Sequence, residues 1–195
     1  MKKGHIYFIM GISGAGKGTL AHNVKNLNLG DNFVFPLSYT TRERRVGEIQ
    51  GEHYSFISRE DFIYSIDKGE FLEYALVHER DYYGTKYQDV MEDGVEEGKI
   101  VIKELDLNGL KKLKQERPEL DEFYSAIFLN IPKEMLRSRI EVRGVFMSDE
   151  EYEKRFNSSI FEEEELMKYC DYVIDATLSP EEVVESFLEI VERER

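Results

Sequence analysis

The segment GISGAGKGTL, which begins at Gly11, follows the apolar run HIYFIM. A strand that enters a glycine-rich turn with a lysine is typical of a phosphate-binding loop at the start of a helix. Three glycines, Gly11, Gly14 and Gly16, allow a tight turn whose backbone N–H groups point inward and bind an anion. Lys17 adds a cation beside a phosphate that is transferred. A turn that binds nothing is the alternative, but the flanking strand and helix patterns disfavour it.

The residue after this lysine departs from the usual pattern. Serine or threonine is common there, because its hydroxyl helps to hold Mg²⁺. This chain instead has Gly18 followed by Thr19. The sequence therefore leaves open whether Thr19 contacts a metal.

Four strand-like apolar runs are separated by helical patterns: HIYFIM, KIVIKEL, FYSAIFLNI and DYVIDA. This alternation predicts an α/β core, a parallel sheet covered by helices. The last helix has the clearest start, with Ser179 as its cap and an apolar stripe that begins at Val183. Short aromatic stretches between about residues 32 and 80 break the alternation and predict a small mixed insert of strands.

The charge balance limits the partners of this chain. Its 26 basic and 40 acidic residues give a formal net charge of −14, which repels nucleic acids and anionic lipids. A single cysteine, Cys170, excludes an internal disulfide and fits a reducing cytoplasm. The first residues combine lysines with an apolar run as in a signal peptide, but the run is short and leads into the glycine-rich turn. We therefore expect a cytoplasmic protein without a nucleic-acid, membrane or obligate protein partner.

A local basic cluster stands out against this acidic background. The stretch LSYTTRERRVGEIQGEHYSFI contains Arg42, Arg44 and Arg45 beside several hydroxyls. Forked guanidinium groups suit a phosphate, and a tyrosine hydroxyl can donate a further hydrogen bond. The alternative is a solvated basic turn, which is common on protein surfaces.

Several segments in order resemble the guanylate kinase family, whose members phosphorylate GMP with ATP. They are GISGAGKGTL, SYTTRERRVGEIQGEHYSF, GEFLEYA, YYGT, ELDLNG and RGVFMSDEEYEKR. The resemblance implies a P-loop NTPase-type parallel sheet with flanking helices, a small mixed α/β GMP-binding insert and a helical lid. The implied single domain has a core at about 1–31, 85–135 and 157–195, a GMP-binding lobe at about 32–84 and a lid at about 136–156.

The resemblance also implies the binding residues. ATP would be bound at Gly11, Ser13, Gly14, Ala15, Gly16, Lys17, Gly18 and Thr19. GMP, or dGMP, would be bound by its phosphate at Arg42, Arg45, Tyr54 and Tyr83, and by its nucleoside at Ser38, Glu73, Thr85 and Asp106. The chemistry of guanine supports the second set, because one carboxylate such as Glu73 can accept both N1–H and the 2-amino group. A hydroxyl of Ser38 or Thr85 can donate to O6.

Transfer of the phosphoryl group requires positioning and neutralised charge rather than a covalent intermediate. The resemblance implies this role for Lys17, Arg42, Arg139, Arg143 and Arg155, the last two on a lid that closes over ATP. It implies Mg²⁺ held through phosphates and water, near Thr19 and Glu104. The family more often has aspartate where Glu104 stands, so the longer side chain leaves its role near the metal open. It usually has asparagine near adenine where Asp175 stands, so the preference for the donor base stays open.

Two other functions compete with this one. The same fold could phosphorylate another monophosphate or a sugar phosphate, although neither needs a guanine-binding carboxylate. A guanylate-kinase-like interaction domain could instead bind phosphopeptides at the arginine cluster without catalysis. The intact loop with Lys17 favours the enzyme, and with it a role in purine nucleotide metabolism.

Overall fold

The computed structural model describes residues 3–27, 29–77, 79–142, 148, 150 and 164–194. The strands are β1 His5–Met10, β2 Phe33–Val34, β3 Tyr39–Thr40, β4 Ser55–Phe56, β5 Phe71–Val77, β6 Asp81–Lys86, β7 Ile100–Glu104, β8 Tyr124–Asn130 and β9 Tyr172–Asp175. The principal α-helices are α1 Lys17–Asn26, α2 Arg59–Asp67, α3 Leu107–Glu116, α4 Lys133–Val142 and α5 Pro180–Glu194, with a π-helical segment at Gln88–Glu96 and a 3₁₀ segment at Pro118–Phe123.

The strands form two sheets. The larger has the order β2-β7-β1-β8-β9, and its pairs β2–β7 and β8–β9 are parallel. The smaller has the order β4-β3-β6-β5, in which β6 runs antiparallel to both of its neighbours. The predicted α/β class with a parallel sheet is confirmed, as is a smaller group of strands in the middle of the chain.

Contacts between Cα atoms divide the chain into two compact units. The first contains the described parts of Met1–Ile6, Gly30–Lys103 and Asn108–Tyr124. The second contains the described parts of Tyr7–Leu29, Glu104–Leu107 and Ser125–Arg195. The predicted lid at about 136–156 falls largely outside the described residues.

Aromatic stacking builds the core of the first unit. The rings of Phe62 and Phe71 stack with centroids 4.3 Å apart, and Tyr82 stacks on Phe62 at 5.2 Å. Ser58 starts the helix that carries Phe62, because its hydroxyl accepts the N–H of Asp61 at 3.0 Å. This packing attaches α2 to the small sheet.

In the second unit, the buried strand β1 ends directly before the glycine-rich loop. Tyr7 packs edge-on against Phe187 of α5, with ring centroids 5.5 Å apart. The predicted start of α5 is confirmed, since Ser179 and Glu182 bond each other's backbone N–H groups in a capping box. In the part of the chain that the structure describes, no helix is long and apolar enough to span a membrane.

Candidate functional site

The loop between β1 and α1 depends on its glycines. Gly11, Gly14 and Gly16 have φ angles of 141°, 95° and 104°. A residue with a Cβ atom would be strained at such angles. At Gly11 a Cβ atom would lie only 3.1 Å from the carbonyl oxygen of Leu129. The loop therefore reaches α1 in a conformation that glycine alone adopts easily.

Lys17 is the first residue of α1, and its side chain folds back over the loop. Its Nζ donates to the carbonyl oxygens of Gly11 and Ile12, at 2.7 and 3.3 Å. The helix N-terminus contributes partial positive charge at the same place. The structure therefore brings this cation and the glycine-rich backbone together at a helix N-terminus, an arrangement that suits an anion.

Arg139 of α4 lies against this loop. Its guanidinium donates to the carbonyl oxygen of Ala176 at 2.6 Å and to that of Ala15 at 3.4 Å. Beside it is a cavity of about 360 Å³, lined by Gly14, Ala15, Gly16, Thr19, Leu20, Ser138, Arg139, Ala176, Leu178, Pro180 and Val183. The predicted arginines Arg143 and Arg155 lie outside the described residues.

Two carboxylates of the second unit were singled out by sequence. Asp106 directly precedes α3. Asp175 ends β9 and accepts the backbone N–H of Thr177 at 2.8 Å. Hydrogen bonds from the Thr177 side chain and backbone lower the pKa of Asp175, so this carboxylate stabilises a turn next to the cavity.

Glu104, the last residue of β7, places its side chain next to Gly18 in the first turn of α1. The common form of the loop has a serine or threonine hydroxyl at that position. Oε1 of Glu104 is 3.2 Å from the place that a Cβ atom on Gly18 would take. The carboxylate therefore occupies space that the missing side chain leaves open. Carboxylate and hydroxyl oxygens are the ligands that Mg²⁺ prefers, so Glu104 and Thr19 fit this ion in chemistry.

The arginine cluster is built in the first unit around Arg42. Its Nε donates to the hydroxyl of Tyr83 at 3.1 Å, and its guanidinium lies 5.5 Å from the ring centre of Tyr54. A cavity of about 470 Å³ is lined by Arg42, Glu43, Arg44, Arg45, Val77, Arg80, Asp81 and Tyr83. Three predicted phosphate ligands thus line one cavity. Tyr54 contacts two of them, since its ring also lies edge-on to that of Tyr83, with centroids 6.1 Å apart.

Glu48 is a residue of this cluster that sequence reasoning missed. It forms a two-point ion pair with Arg42 and also accepts the backbone N–H of Arg45 at 2.7 Å. Hydrogen bonds from Arg42, followed by that from Arg45, lower the pKa of Glu48 to about 2. The available signal was an acid six residues after Arg42, one of two in this basic turn.

The predicted guanine ligands form a row across the small sheet. Glu73 pairs with Thr85 in the β5–β6 ladder, and the β3–β6 register, continued by one residue, puts Ser38 opposite Thr85. Residues that face each other across strands present their side chains on the same side. The buried hydroxyl of Thr85 donates to Oε1 of Glu73 at 2.6 Å.

The comparisons with known proteins agree on one family. The guanylate kinase family model matches residues 3–194. The guanylate kinase of Clostridioides difficile (strain 630) is 41% identical over 175 residues, 89% of this chain and 80% of that protein. That of Clostridium tetani is 37% identical over 198 residues, 100% of this chain and 88% of that protein. A crystal structure of guanylate kinase from Anaplasma phagocytophilum matches with a TM-score of 0.73 and 28% identity, covering 100% of this chain and 87% of that one. The chain belongs to the guanylate kinase family.

Proposed function

We infer that the chain transfers a phosphoryl group from ATP to GMP and forms ADP and GDP. This is the reaction of guanylate kinases, the family to which the chain belongs. The geometry of the glycine-rich loop is the observation that supports catalysis by this chain. Three glycines with positive φ and a lysine at the start of α1 are the parts that bind transferring phosphates. The product belongs to purine nucleotide metabolism.

For the acceptor, we assign the phosphate of GMP to Arg42, Arg45, Tyr54 and Tyr83. The cavity lined by three of these residues supports the assignment. We assign the nucleoside to Ser38, Glu73, Thr85 and Asp106, with dGMP as a further candidate substrate. The shared register of Ser38, Thr85 and Glu73 supports recognition of the guanine edge.

The chemistry needs no covalent intermediate on the protein. A phosphate oxygen of GMP attacks the γ-phosphorus of ATP, and the bond to the β-phosphate oxygen breaks as the new bond forms. The protein positions the reactants and neutralises charge on the moving group. We propose Lys17, Arg42 and Arg139 for this role, together with Arg143 and Arg155.

We further propose that Mg²⁺ accompanies ATP, where it would neutralise phosphate charge. Thr19 and Glu104 would hold it, together with phosphate oxygens and water. The oxygen atoms of both side chains suit this hard cation. The division into core, GMP-binding lobe and lid, and a cytoplasmic location, are parts of the same proposal.

The test is an assay of ADP production with ATP and Mg²⁺, in which GMP, AMP, UMP and CMP are offered separately. We expect turnover with GMP alone. Lys17→Met should lose turnover, whereas Lys25→Met, an exposed lysine on the same helix, should retain it. Turnover with another acceptor would favour the first rival, and GMP binding without any turnover would favour an interaction domain.

A further inference from the structure

A lysine is buried in the strand β7. Lys103 is 6% exposed, and the other buried side chains of this strand are aliphatic. Among the described residues, it is the only charged side chain that is buried to this extent. A buried ammonium is costly unless hydrogen bonds satisfy it, so its partners explain its place.

Those partners lead to the guanine row. Nζ of Lys103 donates to Oγ of Ser38 at 2.7 Å and to the carbonyl oxygen of Pro36 at 3.1 Å. The charge of Lys103 also acts on an acid, Asp89. Burial raises the pKa of Asp89, whereas a hydrogen bond from Tyr39 and the charges of Lys86 and Lys103 lower it. Lys103 therefore bonds Ser38 directly and acts by its charge on Asp89.

The bond from Lys103 fixes the polarity of the Ser38 hydroxyl. An ammonium can only donate, so Oγ of Ser38 must accept from it. The single O–H of Ser38 is then directed elsewhere, as a donor. Thr85 already donates its own O–H to Glu73. Ser38 is therefore the hydroxyl of this row that is set to donate to a base.

We propose that Lys103 is a specificity-determining positioning residue, which holds Ser38 as a donor to O6 of the guanine ring. The proposal rests on GMP as the acceptor. O6 of guanine accepts a hydrogen bond, whereas adenine carries an amino donor at the same position. The nearby ammonium charge also favours a carbonyl oxygen over an amino group.

The test compares equilibrium binding of three nucleotides by calorimetry. GMP and IMP both carry O6, whereas the 5′-monophosphate of 2-aminopurine riboside lacks it and keeps the 2-amino group. We expect Lys103→Met to weaken GMP and IMP by about tenfold or more, the effect of one hydrogen bond to or near a charge. Binding of the 2-aminopurine nucleotide should change less than about twofold, because it has no O6 to lose.

Two further variants separate positioning from a structural role. Ser38→Ala combined with Lys103→Met should be no weaker for GMP than Ser38→Ala alone, because the lysine acts through the serine. Lys99→Met, outside the row, should bind all three nucleotides like the wild type. Thermal denaturation shows whether Lys103→Met is folded. If it is not, Lys103→Arg, which keeps donors and charge, should fold and still bind the nucleotides that carry O6 in preference to the one that lacks it.

The outcomes distinguish this inference from the proposed function. A wild type that binds none of the three nucleotides contradicts the proposed function. A wild type that binds GMP, with a folded Lys103→Met variant that weakens all three nucleotides equally or none of them, overturns the inference alone. Loss of O6 discrimination in a folded Lys103→Arg variant also overturns it.

Discussion

The guanidinium of Arg42 and the carboxylate of Glu48 meet at two points. Nη1 lies 3.0 Å from Oε2, and Nη2 lies 2.7 Å from Oε1. The two side chains are 12% and 16% exposed. Because Glu48 also accepts the backbone N–H of Arg45, one carboxylate holds both arginines that we assign to the phosphate of GMP.

Removal of this carboxylate should weaken GMP. In Glu48→Ala, Arg42 and the backbone of Arg45 lose their common anchor, so the loop must be ordered when the nucleotide binds. We expect KM for GMP to rise roughly 10- to 100-fold, the range for hydrogen bonds to a charged group, with a smaller change in kcat. Steady-state kinetics with varied GMP measures this. Glu52→Ala, an exposed acid of the same loop, is the control, and an unchanged KM in Glu48→Ala would contradict the anchoring role.

The same pair should make stability depend on acid pH. The pKa of Glu48 is lowered from about 4.5 to about 2, chiefly by Arg42. A lowered folded-state pKa means that the pair stabilises the protein fully above about pH 4.5 and loses this effect as pH falls toward about 2. Denaturation of the wild type and of Glu48→Gln should therefore give unfolding free energies that converge over this interval. A difference that stays constant with pH would rule out this titration.

The phosphate loop was predictable from sequence because its determinants are local. A strand, three glycines and a lysine within ten residues define both its conformation and its charge. The guanine row was predicted only through family resemblance. Its members are 35 and 12 residues apart along the chain, counting from Ser38 to Glu73 and from Glu73 to Thr85. Only strand register aligns them, and a slip of one residue would turn a side chain to the other face.

Glu48 and Lys103 were missed for a different reason. Each differs from its neighbours in the sequence. Glu48 is an acid in a basic turn, and Lys103 is a cation in an apolar strand. Such residues are usually exposed, so their sequence context gives no partner. The partners Arg42 and Ser38 are identified only once the loop and the sheet are folded.

Glu73→Gln tests recognition of the guanine edge. The carboxylate, oriented by Thr85, can accept hydrogen bonds from both N1–H and the 2-amino group of guanine. An amide has only one acceptor oxygen, so its NH₂ group would face one of these two donors. We expect GMP binding to weaken by about 1.5–3 kcal/mol, the value of hydrogen bonds to a charged group. IMP, which lacks the 2-amino group, should lose less. Calorimetry with both nucleotides measures the difference, Glu60→Gln on the exposed face of α2 is the control, and equal losses would contradict the assignment.

The proximity of Gly18 and Glu104 leads to a prediction about the metal. A serine at position 18 would bring a Cβ atom to 3.2 Å from Oε1 of Glu104 and displace the carboxylate. The shorter Glu104→Asp side chain would make room for that serine but would reach less far on its own. We therefore expect each single change to weaken binding of Mn²⁺ with ATP, and the double variant to recover most of the loss.

This recovery is a coupling between two side chains in contact, for which interaction energies of about 0.5–3 kcal/mol are usual. Electron paramagnetic resonance of Mn²⁺ in the presence of ATP measures the bound fraction without turnover. Glu97→Asp, an exposed acid, controls for a general change of charge geometry. If the losses of the two single variants simply add in the double variant, then Gly18 and Glu104 do not share one metal-binding role. Recovery of Mn²⁺ affinity would instead mean that the glycine in the loop and the longer acid at the end of β7 work as a matched pair.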